Sequence, residues 1–112
     1  MEREPKAYLF DVVENSDKIL DFVLGLDLKG YRVNDLIKSA VERRFINIGE
    51  ALTKIKAADL AMFGLIPDGA RIIAFRNVLV HGYESISDEL VWEIIDAHLQ
   101  LLRDSCVGLL EK

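Results

Sequence analysis

The sequence predicts a single all-α domain, an antiparallel up-and-down bundle of four helices with one short extra helix. Apolar residues recur at intervals of three and four along most of the chain, which is the period of an amphipathic helix. Only two prolines occur in 112 residues, and the connections between the periodic segments are short. A chain of this length is typical of one domain, which we place over residues 1–112.

The first helix is predicted over residues 5–24. Pro5 is tolerated in a first helical turn, because the N–H group that it lacks would have no partner inside the helix. Gly25 ends the apolar periodicity. Residues 26–33 then form a connection, in which Tyr31 is expected to tuck against the bundle.

A long second helix is predicted from Asn34 to about Ala58, with Asn34 as a favourable N-cap. Gly49 lies inside this helix, where glycine costs about 1 kcal/mol relative to alanine. A helix that keeps such a glycine often needs room for another backbone. We therefore expect the next main helix, or a partner subunit, to cross near Gly49. Three polar residues recur on one face of the same helix at intervals of four and three, namely Arg43, Asn47 and Glu50.

The third main helix is predicted over residues 70–81, after a weak short helix and a turn within residues 59–68. Asp68 stands just before Gly69 and Ala70, which makes it a candidate N-cap for this helix.

The last helix is expected to begin after Ser85 or Ser87, either of which can cap it. His98 falls among the apolar positions of this helix and is expected at the edge of the core. Trp92 lies off the main apolar stripe, so it either covers an edge of the bundle or enters an interface, where tryptophan is enriched.

Charge restricts the function classes. The net charge of −5 argues against a broad nucleic-acid-binding surface. The middle of the chain is nevertheless basic, since residues 38–56 carry five basic and two acidic groups and residues 71–83 carry two basic groups and no acid. This distribution is compatible with a small anion site. The alternative is that these charges belong to solvated helix faces.

The cysteine and histidine content predicts neither a disulfide nor a metal site. Cys106 is the only cysteine, and one cysteine with two histidines does not supply a metal-ligand cluster, so no cofactor is expected. The charged N-terminus lacks the apolar core of a signal peptide. No apolar run approaches the ~18 residues of a membrane span. We therefore expect a cytoplasmic protein without a membrane partner.

The most chemically capable side chains lie in the eight residues from Arg76 to Tyr83. They fall where an apolar helix runs into Gly82, so the stretch is expected at the end of an element. Asn77 and His81 are four residues apart and share a helix face. Each side chain also has an ordinary structural explanation, as a histidine near a helix C-terminus, an ion-paired arginine or a tyrosine packed at the edge of the core.

This stretch resembles the signature of the HEPN superfamily, in which an arginine is followed after four to six residues by a histidine and, one residue later, by a tyrosine. The spacer here is four residues. The likeness is greatest to the HepT-like branch. Residues 41–52 resemble the second helix of that branch, and residues 91–95 resemble the start of its last helix. The resemblance therefore covers most of the chain and implies a HEPN-like fold.

The resemblance implies a metal-independent ribonuclease of the toxin type, an RNA endonuclease that works as a homodimer. In the family, the arginine and histidine of two subunits meet in one composite site, which makes Arg76 and His81 the expected catalytic residues. Cleavage of RNA by its own 2′-hydroxyl needs a group that moves protons near neutral pH, and histidine has an ordinary pKa of about 6.5. It also needs a permanent cation for the phosphate, which a guanidinium supplies.

Four further residues are candidates for substrate binding or for support of the site. Asn77 could hold the scissile phosphate or orient His81. The row of Arg43, Asn47 and Glu50 could fix the position of Arg76 or His81.

The resemblance also implies a protein partner, a minimal nucleotidyltransferase that serves as the antitoxin of a type VII toxin–antitoxin system. It transfers AMP from ATP onto the motif tyrosine, here Tyr83, and the added phosphate and nucleotide would repel or block the RNA substrate, a tRNA or mRNA. Two other interpretations stay open. The chain could be a non-catalytic helical module that docks a nucleotidyltransferase or a nucleotide, which its acidic total favours, or a plain dimeric bundle without a ligand.

Overall fold

The computed structural model describes residues 3–82 and 86–112. Within these ranges every regular element is helical, and the prediction of an all-α bundle is confirmed. Two short helices, rather than one, accompany the long ones, because a helical turn also forms in the connection before the second long helix. In chain order the elements are α1 (Pro5–Phe22), α2 (Leu28–Arg32), α3 (Asp35–Ala58), α4 (Leu60–Gly64), α5 (Gly69–His81), α6 (Asp88–Ile94), a π-helical turn (Ile95–Leu99) and α7 (Gln100–Leu110).

The central element is α3, which packs on α1 and on α5. α1 also packs on α7, and α2 fills the space between α3 and α6. α6, the π-helical turn and α7 follow one another directly and form the last long helix of the bundle. No helix within the described ranges is both long enough and apolar enough to cross a membrane.

The core is built from the apolar stripes that the sequence predicts. The rings of Phe45 and Phe75 meet edge to face with their centroids 5.2 Å apart, which joins α3 to α5. Trp92 packs on the buried ring of Tyr31 at a centroid distance of 5.6 Å, so it covers an edge of the bundle. The largest fully buried side chains are Tyr31, Phe45, Leu9, Ile19, Ile48, Leu52, Ile55, Ile72, Ile94, Leu99, Leu102 and Val12.

Two of the predicted helix caps are confirmed. The side chain of Asn34 accepts a hydrogen bond from the backbone N–H of Ile37 at 3.0 Å. Of the two candidate serines, Ser87 caps α6, with its hydroxyl accepting from the N–H of Leu90 at 3.2 Å. These bonds satisfy donors that the first turn of a helix leaves without partners.

Asp68 lies at the predicted N-cap position of α5, but it does not cap the helix through its side chain. Asp68 adopts a left-handed backbone conformation with φ of 61°, and its side chain makes no capping bond to α5. Its carboxylate oxygen Oδ2 instead lies 2.9 Å from Nδ1 of His98 in the π-helical turn. His98 is partly buried at the edge of the core, as expected, and the pair ties the start of α5 to the last long helix.

Glu42 on α3 is half-buried, and loss of hydration raises its pKa above the ordinary 4.5. Nearby Asp88 adds to the increase in pKa, whereas Lys38 opposes it. A carboxyl group that holds its proton more tightly in the folded state than in the unfolded state destabilises the fold once it is ionised. This penalty is therefore present at neutral pH and disappears as the pH falls toward 4.5.

The Glu42→Gln variant is expected to melt at a higher temperature than the wild type at pH 7, because glutamine carries no charge to desolvate. Near pH 4 the two proteins should melt together, since Glu42 is then protonated. Thermal unfolding followed by circular dichroism at the two pH values measures the difference. Glu111→Gln, at an exposed terminal position, is the control and should change little. A lower melting temperature for Glu42→Gln at pH 7 would contradict the prediction.

Candidate active site

Arg76 crosses α3 at Gly49. A Cβ atom added to Gly49 would lie within 2.5 Å of both Cβ and Cγ of Arg76, a separation that real atoms do not tolerate. The crossing of the motif helix at Gly49 is thus as predicted from the sequence, and the glycine is needed because the stem of Arg76 occupies the space of a side chain.

The guanidinium of Arg76 is held by two neighbours. Nη1 donates to Oδ1 of Asn77 at 3.0 Å, and Nη2 donates to Oε1 of Glu50 at 3.4 Å. Its Nε is buried and has no hydrogen-bond partner among the described residues. The side chain as a whole keeps 26% of its surface exposed, and each terminal nitrogen has a further N–H group. The planar fork can therefore still donate to an anion that approaches from solvent.

An open cavity of about 410 Å³ lies beside this guanidinium. Among the described residues, two cations, Arg76 and Lys54, and one carboxylate, that of Glu50, line its wall. The other lining residues are Thr53, Ile73 and Asn77. The cavity thus has a positive local balance on a protein of net charge −5, which is compatible with a small anion site.

His81 is the last residue of α5 and is exposed. No contact between His81 and Arg76 is described. Five residues of α-helix rotate a side chain to about 140° from its starting direction, so the two side chains leave α5 on different sides. Asn77 shares a helix face with His81, but its carbonyl oxygen is bound to Arg76. A single subunit therefore does not bring the arginine and the histidine of the motif together.

The polar row on α3 divides between two neighbours. Glu50 contacts Arg76, whereas Asn47 donates to Oδ1 of Asn15 on α1 at 3.1 Å. Arg43 is exposed and makes no hydrogen bond or ion pair with the described part of the chain. Of the three residues considered as supports for the site, the structure places only Glu50 on the catalytic candidates.

One residue near the site, Asn15, was missed in the sequence analysis. Asn15 is buried within α1, where its amide donates to the carbonyl of Asp11 at 2.8 Å, and its Oδ1 also accepts from Arg44 at 3.2 Å. The signal was available, since Asn15 falls in the same helical stripe as the buried Val12 and Ile19. A polar residue at a core position needs hydrogen-bond partners and often marks a built polar network.

Tyr83 lies outside the described residues, as do Glu84 and Ser85.

The described ranges contain no group of three or more histidine, cysteine, aspartate or glutamate side chains that could hold a metal ion. Burial raises the pKa of Cys106 to about 12, so its thiol stays protonated near neutral pH and is a poor nucleophile.

The fold and the site define a class of protein: a helical bundle that presents an arginine beside a basic cavity and a histidine five residues later at the end of the same helix. The sequence profile described as "Ribonuclease HepT-like" matches residues 12–107. The chain therefore belongs to the HepT-like ribonuclease family.

Several relatives come from Methanocaldococcus jannaschii and are each named "Putative RNase". The relative MJ1380 is 31% identical over 93 residues, which cover 83% of this chain and 84% of that protein. MJ1216 is 33% identical over 91 residues, covering 81% of this chain and 74% of the relative. MJ0125 is 33% identical over 91 residues, which cover 81% of this chain and 78% of that relative. No solved structure matches the chain significantly. The family and these relatives support ribonuclease activity as the function class.

Proposed function

We propose that this chain is the toxin of a type VII HEPN/MNT toxin–antitoxin system and acts in the cytoplasm as a metal-independent RNA endonuclease. Membership of the HepT-like ribonuclease family supports RNA as the substrate. The observation that carries the proposal is the guanidinium of Arg76, which lies beside a cavity with a positive local balance and is held in place by Asn77 and Glu50.

In the proposed reaction the 2′-hydroxyl of the RNA attacks the adjacent phosphorus, and the bond from phosphorus to the leaving 5′-oxygen breaks. One His81 takes the proton of the 2′-hydroxyl as general base, and a second, protonated His81 gives a proton to the 5′-oxygen. Arg76 binds the non-bridging phosphate oxygens, whose charge grows in the transition state. The products are a 2′,3′-cyclic phosphate and a 5′-hydroxyl, and no metal ion is required.

The second histidine comes from a homodimer in this proposal. Three apolar side chains near the motif are each exposed by more than a third, Val78 and Val80 on α5 and Leu90 on α6. A shallow apolar groove of about 210 Å³ lies between α5 and α6, and Val78 and Leu90 are among its lining residues. Apolar patches of this kind mark interaction sites, and identical subunits most often pair about a two-fold axis. In this proposal a second copy binds at the groove and supplies the second His81 of the composite site.

The test of the nuclease assignment is an RNA-cleavage assay with Arg76→Ala. The purified wild-type protein should cleave single-stranded RNA in the presence of EDTA. Loss of a donor to the transition-state charge should lower the rate by about 10²–10³-fold. Lys29→Ala, which removes an exposed cation from α2, is the matched control and should cleave as the wild type does. Equal RNA degradation by the wild type and Arg76→Ala would refute the assignment.

A non-catalytic binding module is the second candidate function. Glu50 pairs with Arg76, and the net charge of −5 opposes binding of a polyanion. On this alternative the purified protein binds a nucleotidyltransferase or a nucleotide, but RNA remains intact at every protein concentration in the assay above.

The proposed regulation is the transfer of AMP to Tyr83 by a nucleotidyltransferase antitoxin. Co-expression with such an enzyme should add one or more AMP masses to the protein, as measured by intact-mass spectrometry. The additions should vanish in Tyr83→Phe and persist in Tyr8→Phe, which removes a hydroxyl from α1 instead. AMP additions that remain on Tyr83→Phe would place the acceptor on another residue.

A further inference from the structure

A second cavity lies between α1 and α3, directly beside the cavity at Arg76. It has a volume of about 290 Å³, and Glu50 and Lys54 belong to the walls of both cavities. Asn47 on α3 and Tyr8 on α1 also line the second cavity. The proposed cleavage step does not use this space, which adjoins the Arg76 cavity.

The second cavity differs from the first in its charge. Arg3 is paired with Asp11 through both of its terminal nitrogens, so these two lining charges cancel. Glu50 is shared with Arg76, and Lys54 stands on the common wall. The inner part of the cavity is therefore polar but neutral, which favours an uncharged polar group over a phosphate.

Asn47 presents a fixed hydrogen-bonding edge to this cavity. One N–H of its amide donates to Asn15, whose carbonyl is held in turn by Arg44. The other N–H and the oxygen Oδ1 of Asn47 have no partner among the described side chains. A donor and an acceptor side by side on one amide match N7 and the N6 amino group of adenine, which asparagine recognises in a bidentate manner.

A stacking surface lies in the same cavity. The guanidinium of Arg3 lies over the ring of Tyr8, 4.9 Å from its centroid. Proteins that bind single-stranded RNA stack the bases on aromatic rings and on guanidinium planes, and they recognise the base edges by hydrogen bonds. The cavity thus combines a flat platform with an amide edge, which are the two parts that recognition of a base requires.

We propose that the cavity between α1 and α3 is a base subsite that binds an adenine of the RNA strand next to the phosphate held by Arg76. This inference rests on the proposed function and deepens it, because it assigns a sequence preference to the cleavage. The adenine stacks on the Arg3–Tyr8 platform and bonds to Asn47. Lys54, on the wall shared with the Arg76 cavity, neutralises the backbone between the two subsites.

Binding of short 2′-O-methyl RNA hexamers tests the subsite without cleavage, since the methyl group blocks the attacking hydroxyl. Fluorescence anisotropy should show that the wild type binds an adenine-containing hexamer about tenfold more tightly than an all-uridine hexamer, the discrimination of one bidentate base contact. Asn47→Ala should remove this preference. Gln100→Ala, which deletes an exposed amide on α7, is the matched control and should keep it.

A second variant avoids the buried asparagine network. Tyr8→Ala should weaken binding of the adenine hexamer by about fivefold or more, the loss of one base–aromatic contact. Unchanged affinity in Tyr8→Ala, or equal affinity of the wild type for the two hexamers, would overturn the inference. So would free AMP that binds as tightly as the adenine hexamer, because the RNA strand would then be unnecessary.

The subsite and the nuclease assignment fail in different ways. A wild-type protein that prefers the adenine hexamer but leaves the matching unmodified RNA intact would refute the proposed cleavage and keep the base subsite. A wild-type protein that cleaves RNA with no adenine at a fixed distance from the cut would keep the cleavage and refute the subsite. Sequencing of the products from a random-sequence RNA pool distinguishes these outcomes.

Discussion

The His81→Ala variant should cleave RNA about 10²–10⁴-fold more slowly than the wild type, which is the usual contribution of a general acid or base. His81 is exposed at the end of α5, so its removal should leave the melting temperature nearly unchanged. Single-turnover cleavage of a labelled RNA measures the rate. His98→Ala is the matched control for the other histidine. It breaks the contact with Asp68, so it should lower stability while leaving the rate of the folded protein much less affected.

Mixed dimers test whether the site is composite. If two His81 side chains serve one site, an excess of His81→Ala protein should suppress the activity of the wild type as subunits exchange. Complete suppression requires that the mixed dimer, with one histidine, is inactive or nearly so. If each subunit held a whole site, the wild-type activity would stay constant through the same titration. That result would refute the composite site. The cleavage rate of the pure His81→Ala protein would then decide whether His81 takes part in cleavage at all.

The Gly49→Ala variant should be destabilised by about 1–3 kcal/mol, the usual cost of overpacking a core. Alanine is favoured over glycine within a helix by about 1 kcal/mol, but the new methyl group would meet Cβ and Cγ of Arg76. One of the two helices must shift, and Arg76 shifts with it. We therefore expect a loss of both stability and cleavage rate, measured by urea unfolding and by the RNA assay.

Gly108 on α7 provides the matched control for this experiment. A Cβ atom added there meets no atom within 4 Å. Gly108→Ala should therefore stabilise the protein by up to about 1 kcal/mol through helix propensity alone. If Gly49→Ala were also stabilising, the close crossing of α5 over α3 would not exist in solution.

The sequence predicted the features of the fold that depend on local chemistry. Asn34 and Ser87 cap helices because their side chains reach the nearest backbone donors, and this geometry is the same in any protein. Gly49 predicted the helix crossing for a related reason. A glycine inside a long helix lowers its stability, and the close approach of another helix can offset that loss. The side-chain cap expected of Asp68 does not form, because its carboxylate contacts His98, which is distant in the sequence.

The site was predicted less completely than the fold, because its hydrogen bonds join residues that are far apart in the chain. Arg76 pairs with Glu50 because α5 crosses α3 at this point. Both residues were candidates from the sequence, but their pairing could not be predicted from it. Asn47 belongs to a network with Asn15 and Arg44 that only the packing of α1 on α3 creates. The π-helical turn that carries His98 has no signal in the apolar periodicity.

The main packing partner of α5 is α3, and the apolar groove lies along the side of α5 that is next to α6. A helix with fewer packing partners opens at a lower free energy, so the amide hydrogens of α5 should exchange earlier than those of the central α3. Association through that face would protect them. A dimer that forms only from folded subunits adds to their stability by mass action. Dilution of the protein would dissociate the dimer, so both the stability of the fold and the rate of RNA cleavage would fall.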